Sequence, residues 1–322
     1  MSVKSINALM KYLRDNKNIE INGSAQKKHL RNIGYYHGYK GYRFYSQSNN
    51  LLNYSNFNEL MSVYQFDMNI KAIIYPKIMF LETALKNYVL ESIINKTNSD
   101  RFADAYSKAM TYHKTFPVNS DDYKKALQKR LNLRNRIYSD LSRDYGNKSI
   151  VQHYYRNDKP VPIWAIFELI SFGEFGQLVS CLDVNVKKNI STNIGFYTSH
   201  DRDGKLPELI VMTLKDLRNA VAHNDPVFDV RFKTGFINYR IQNYITFDTG
   251  IVNVDFKSIV DYIILISYLM KLLKVNKNEN KKFLRDFMDL CESLRNDIPI
   301  SVYNKIIPTN TRNKIQDMIS II

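Results

Sequence analysis

Cysteine is scarce. Cys181 and Cys291 are the only two in 322 residues, and they stand at no ligand spacing. That excludes a disulfide framework or a cysteine-built zinc site, and both read as reduced thiols. Tryptophan is rarer still, with Trp164 alone. No run of eighteen apolar residues occurs, and MSVKSINALMKYLRDNK at the N-terminus lacks an apolar h-region and a cleavage site. No membrane span is expected, and the chain is expected in the cytoplasm. No nucleophile-elbow pattern appears, so Ser-His-Asp and Cys-His catalysis have no support. His29, His37, His113, His153 and His200 are scattered without ligand spacing, so neither a metal nor a cofactor is expected.

Acids are few beside bases. Against 46 Lys and Arg stand 31 Asp and Glu, a net charge of +15. Such an excess favours polyanions as partners, nucleic acid ahead of a membrane surface. Aromatic side chains are plentiful, with 23 Tyr and 17 Phe. Tyrosines beside basic residues are suited to stacking on bases.

The pattern along the chain is mainly α. Ser5 can cap a helix over residues 1–18, and a second helix from Ser24 to about Ile33 carries Lys27, Lys28 and Arg31. Residues 34–45, GYYHGYKGYRFY, hold three glycines and six Tyr/Phe aromatics and predict a loop or short irregular segment. Residues 57–96 give the clearest helical period, with Phe66, Ile70, Ile74, Ile78, Leu81, Leu85 and Val89 on one stripe and Pro76 as an expected kink. Residues 98–122 predict a loop with one short helix, and 123–144 a basic helix including Lys129, Arg130 and Arg134. An apolar helix is expected from Ile163 to Gly173, another over 174–182, and a further one over 206–224. Val227–Phe232 and Tyr244–Phe247 read as short strands, with Asp248-Thr249-Gly250 as a turn, which allows a small β-hairpin after the helix at 206–224. An apolar helix over 256–273, a solvated linker over 275–282 and closing helices over 283–296 and 311–321 complete the pattern. Three segments result: a basic, aromatic N-terminal extension (1–56), a helical core (57–226), and a C-terminal segment packing on it (227–322).

One stretch concentrates chemistry. Leu217-Arg218-Asn219-Ala220-Val221-Ala222-His223-Asn224-Asp225-Pro226 joins a cation, an amide and an imidazole on a helix end. Asn219 lies roughly 40° from His223 around a helix, and Arg218 about 140°. An imidazole exchanges protons near neutral pH, and a guanidinium forks onto phosphate. An RNA 2′-hydroxyl is its own nucleophile, so cleavage by such a set needs no metal. One histidine serves poorly as both base and acid, whereas two copies about a two-fold axis supply both. The same residues equally suit a plain helix C-terminus whose cations complement its dipole.

Four ordered signatures carry a resemblance. They are Gly34-Tyr35-Tyr36 with Gly41-Tyr42-Arg43-Phe44; Phe66-Asp67 followed by residues 78–86 (IMFLETALK); Pro162-Ile163-Trp164 through Glu168 with Ser171-Phe172-Gly173; and Arg218-Asn219 to His223. Over about residues 24–230 the chain resembles the Abi-like (abortive infection, AbiD/AbiF) group of bacterial phage-resistance proteins, within the HEPN superfamily of RNases. The resemblance implies an all-α bundle core and a homodimer with a composite site. It also implies metal-independent endoribonuclease activity leaving 2′,3′-cyclic phosphate and 5′-hydroxyl ends. By this likeness Arg218 and His223 are catalytic and Asn219 assists. A small non-coding RNA is the implied antitoxin, held by the basic surfaces. Two positions depart from the pattern: Lys86 replaces a common arginine, and Asn224-Asp225-Pro226 a continuation containing histidine or arginine.

Glu82 with Lys86 is expected either to support the site or to form an ordinary i,i+4 pair. Glu168, on an apolar face, is expected buried and partnered. RNA contacts are expected from Lys27, Lys28, Arg31, Tyr42, Arg43, Lys129, Arg130 and Arg134. A different class of reading keeps the RNA and drops the chemistry: a non-catalytic RNA-binding or regulatory module.

Overall fold

The computed structural model describes residues 5–322. It is mainly α, with 15 helices and no sheet among the described residues. The chain divides into two compact units. One comprises residues up to Ile78 together with Asp216–Ile322, the other Met79–Lys215. The division falls inside two helices, Phe57–Thr97 and Leu206–Ala222. The sequence boundaries at 56 and 226 both lie within the first unit.

In the first unit, Ser5 caps the helix Ile6–Lys17 by accepting from the Ala8 amide, and Asn18 closes it in the left-handed region. Residues 1–4 of that expected helix lie outside the described residues. The helix Gly23–Ile33 is followed by a short π-helical turn, Gly34–Lys40, where a loop or short irregular segment is expected. Gly38 packs closely there, because a Cβ would meet the Ile33 side chain at 2.5 Å and force it to shift. The unit's core is the helix Ile259–Leu272, whose residues 259–270 are all buried. A helix apolar on every face belongs inside. Its Ser267 and Tyr268 side chains are matched, while the buried Tyr262 hydroxyl has no hydrogen-bond partner. Ser267 donates to Asn280 at 2.7 Å, and Tyr268 to Asp248 at 2.6 Å.

The second strand of the expected hairpin and most of the expected linker are replaced by helix. Tyr244–Phe247 sit in the helix Tyr239–Thr249, capped by Asn238 and ended by Gly250 at φ 72°. Ile241, Tyr244 and Ile245 recur at helical spacing and are buried, so packing overrides the strand propensity of these residues. Val227–Phe232 pairs with no strand, and its Val230 stands at φ 53°. The polar run at 275–282 enters the helix Lys277–Asp297, because Asn276 caps it and Asn280 is buried against Ser267.

In the second unit the helix Asp121–Asp144 buries Leu133, Ile137 and Leu141. The helix expected from Ile163 to Gly173 stops at Leu169. Ser171 and Glu174 then form a capping box that starts a new helix, Phe172–Cys181, since reciprocal caps satisfy its first amides. Residues 98–122 hold a π turn and a 3₁₀ turn besides one short helix. The helices Ser149–Arg156 and Val184–Ile194 complete the unit's set.

Candidate functional site

The helix carrying the decapeptide is set firmly at its start. Asp201, 1% exposed, accepts from the Leu206 amide at 3.2 Å and from the Ser191 hydroxyl at 2.7 Å. Gly204 (φ 68°) approaches residues 187–188 so closely that a Cβ would lie 2.4 Å from their backbone. Farther along, Gly176 meets the same helix: a Cβ there would lie 2.6 Å from Met212 Sδ. Ile210, Leu214, Leu217 and Ala220 form the buried stripe.

The helix ends in a Schellman arrangement. The Asp225 amide donates to the Ala220 carbonyl at 2.9 Å, and the Asn224 amide to Val221 at 3.3 Å. Asn224 occupies the left-handed position at φ 59°, where asparagine is tolerated in place of the usual glycine. This geometry leaves Asn219 and His223 exposed on the last turn and Arg218 half-buried. An imidazole on an exposed C-terminal turn is open to a ligand.

The segment leaving the helix is pinned by a carboxylate that belongs to one of the sequence signatures but has no role assigned by it. Asp67 is 0% exposed. One of its oxygens accepts from the Val227 and Phe228 amides at 2.7 and 2.8 Å. The other accepts from the Tyr42 hydroxyl at 2.7 Å and pairs with Lys71 at 2.7 Å. Lys71 in turn donates to the Asn224 side-chain amide at 2.9 Å. Burial and the adjacent Asp67 charge raise the Tyr42 hydroxyl far above the usual phenol range, so it stays a donor. Gly41 completes the seam, since a Cβ there would sit 3.4 Å from Pro226. Tyr42 and Asp67, from two separated motifs, therefore meet Asn224, Val227 and Phe228, just after the Arg218–His223 stretch, in one hydrogen-bonded cluster. Asp67 and Lys71 stand at i,i+4 on an apolar helix face, which is the sequence signal for a buried pair.

Other expected residues fall variously. Tyr42 is 1% exposed and bonded to Asp67, so its ring is packed in the core, not offered to a base. Lys28 and Arg31 are exposed and Lys27 half-buried on the helix Gly23–Ile33. Arg43 is half-buried, and its Nε has no acceptor. In the second unit Lys129 is exposed and joins Lys124, Lys125 and Arg136 along a shallow groove. Arg130 is held over the Tyr106 ring at 3.7 Å, with Arg134 at 5.5 Å. Glu82 and Lys86, also in that unit, form a largely buried ion pair at 3.0 Å instead of a solvated one. Glu168 is exposed, contrary to the expected burial, because it falls on the outer face of its short helix.

A family model described as Abi-like protein matches residues 28–229, more than half of the chain. The match takes in Tyr42, Asp67, Lys71 and the whole 217–226 stretch. No curated protein and no solved structure matches.

Proposed function

Because the chain belongs to the Abi-like protein family, whose name points to abortive-infection phage defence, we propose that it is a metal-independent endoribonuclease of HEPN type acting as a defence toxin. His223 takes the proton from a ribose 2′-hydroxyl, and the freed oxygen attacks the adjacent phosphorus. The 5′-oxygen leaves with a proton, giving a 2′,3′-cyclic phosphate and a 5′-hydroxyl end. Arg218 neutralises charge gathering on the phosphoryl oxygens, and Asn219 offers an amide to the same group. Two copies of the chain bring two such helix ends together, so that the second imidazole supplies the acid. Glu82 and Lys86 support the core in this reading, and a small non-coding RNA restrains the toxin through the basic surfaces.

The single observation supporting this most is the combination of an exposed His223 with a rigidly determined backbone around it. Residues 224–228 are fixed by Asp67 and Lys71, so the imidazole is solvent-facing on a preorganised base. A surface histidine with no role would not need that anchorage.

Growth of cells expressing wild-type or His223→Ala protein is one test, and purified protein on mixed RNA the other. Wild type is expected to arrest growth and to leave cyclic-phosphate ends, and the alanine variant to do neither. Equal toxicity of both forms, or RNA bound yet left intact by wild type, would sink the nuclease reading in favour of a non-catalytic RNA-binding module.

A further inference from the structure

A groove of about 410 Å³ opens beside the motif, and the catalytic reading does not use it. One wall is the π turn and its continuation: Tyr36, Lys40, Arg43 and Phe44. Another is Asp225 and Pro226, two and three residues after His223. Tyr36 is 70% exposed, large for an aromatic ring. It meets His37 in a T-shaped contact at 5.2 Å between centroids, which steadies the ring. Lys40 is held near the Tyr35 ring at 5.5 Å. Arg43 Nε is buried with no acceptor, a donor that lacks its partner. Arg231, also in the wall, is neutralised by its pairing with Asp229 and anchored to the Phe44 carbonyl at 2.9 Å. It is part of the frame, so the charges left to a ligand are Lys40 and Arg43 against the single acid Asp225.

We propose that this groove is a subsite for single-stranded RNA, receiving one unpaired base against Tyr36 and the neighbouring phosphates on Lys40 and Arg43. Aromatic faces interleaved with cations are how proteins hold single strands without reading sequence. Asp225 repels phosphate, which directs the backbone to the Lys40–Arg43 wall and the base toward the ring. The Gly41–Pro226 contact and the Asp67 cluster tie this groove rigidly to the helix end. A strand seated here is therefore presented to His223 in a fixed register. The proposal rests on RNA being the ligand of the neighbouring Arg218–His223 site, but not on that site cutting it.

The test is a titration of full-length His223→Ala protein with a short single-stranded RNA carrying 2-aminopurine. Emission reports stacking, and anisotropy reports affinity. Adding Tyr36→Ala is expected to weaken binding about tenfold and abolish the quenching, as loss of one stacked base does. Lys40→Glu is expected to weaken binding and flatten its salt dependence. A blunt duplex of the same sequence is expected to bind less tightly than the strand. Unchanged affinity and emission in Tyr36→Ala, with an unchanged melting temperature, overturns the subsite, as does equal binding of duplex and strand. If wild type cuts nothing while Tyr36→Ala still weakens binding, the subsite stands and the nuclease reading falls.

Discussion

Two buried aspartates use the same device for different ends. Asp67 and Asp261 are both 0% exposed. Each pairs with a lysine at 2.7 Å, Lys71 and Lys314 respectively. Each accepts from two consecutive backbone amides: Val227 and Phe228 for Asp67, Asp255 and Phe256 for Asp261. Asp261 works locally, binding residues five and six positions before it at the head of the core helix. Burial raises its carboxyl above the ordinary range despite the pull of Lys314. Asp67 works at long range, reaching amides 160 and 161 residues away and a hydroxyl 25 residues away. The chemistry of a buried acid thus says nothing of its role. What it holds in place does, and Asp67 holds the segment leaving His223.

The comparison breaks first at the acids themselves. Asp67→Ala and Asp261→Ala each strand a buried lysine and two amides, so each is expected to cost about 3–5 kcal/mol, read from denaturant midpoints. They should part in hydrogen exchange. Loss of Asp67 speeds exchange at the amides of 227 and 228, whereas loss of Asp261 does so at 255 and 256. In the milder Asn variants, at a temperature where both remain folded, RNA cleavage should drop for Asp67→Asn and persist for Asp261→Asn. Equal losses of cleavage would show that the Asp67 cluster is merely structural.

His223→Ala offers the opposite profile. Cleavage should fall about a thousandfold, within the usual range for a general base, while stability changes by less than about 0.5 kcal/mol, because the side chain is exposed. A thermal melt beside a timed RNA digest decides it. Tyr42→Phe sits between these extremes. It removes one donor from Asp67 without leaving a hole, and should cost about 2 kcal/mol. A loss near zero would mean that Lys71 and the two amides already saturate the carboxylate.

The contrast also explains what could be read in advance. The helix Phe57–Thr97 declares itself through a sustained apolar period. Arg218, Asn219 and His223 stand out as candidates because their spacing is local to one helix end. The role of Asp67 does not, since apart from Lys71 at i,i+4 its partners are dispersed over the chain. Residues 239–249 misled for another reason. Ile, Tyr, Phe and Thr favour strands singly, yet Ile241, Tyr244 and Ile245 form a buried helical stripe, and only tertiary packing decides between the two.

The smallest effect tests the finest link in the Asp67 cluster, the side-chain bond from Lys71 to Asn224. Asn224 does two jobs: it holds the left-handed turn at φ 59° and accepts the lysine proton. Asn224→Gly keeps the turn and loses the bond, an expected cost of about 1 kcal/mol. Asn224→Ala loses both, adding about 1 kcal/mol for the left-handed backbone. The difference between the two variants isolates the turn, and the glycine value alone isolates the bond together with the added chain entropy. If Asn224→Gly leaves stability unchanged but slows cleavage, Lys71 positions the segment beside His223 without stabilising the fold. If it changes stability and leaves cleavage intact, Lys71 belongs with Lys314 as a structural counter-ion and Asp67 alone orders the site.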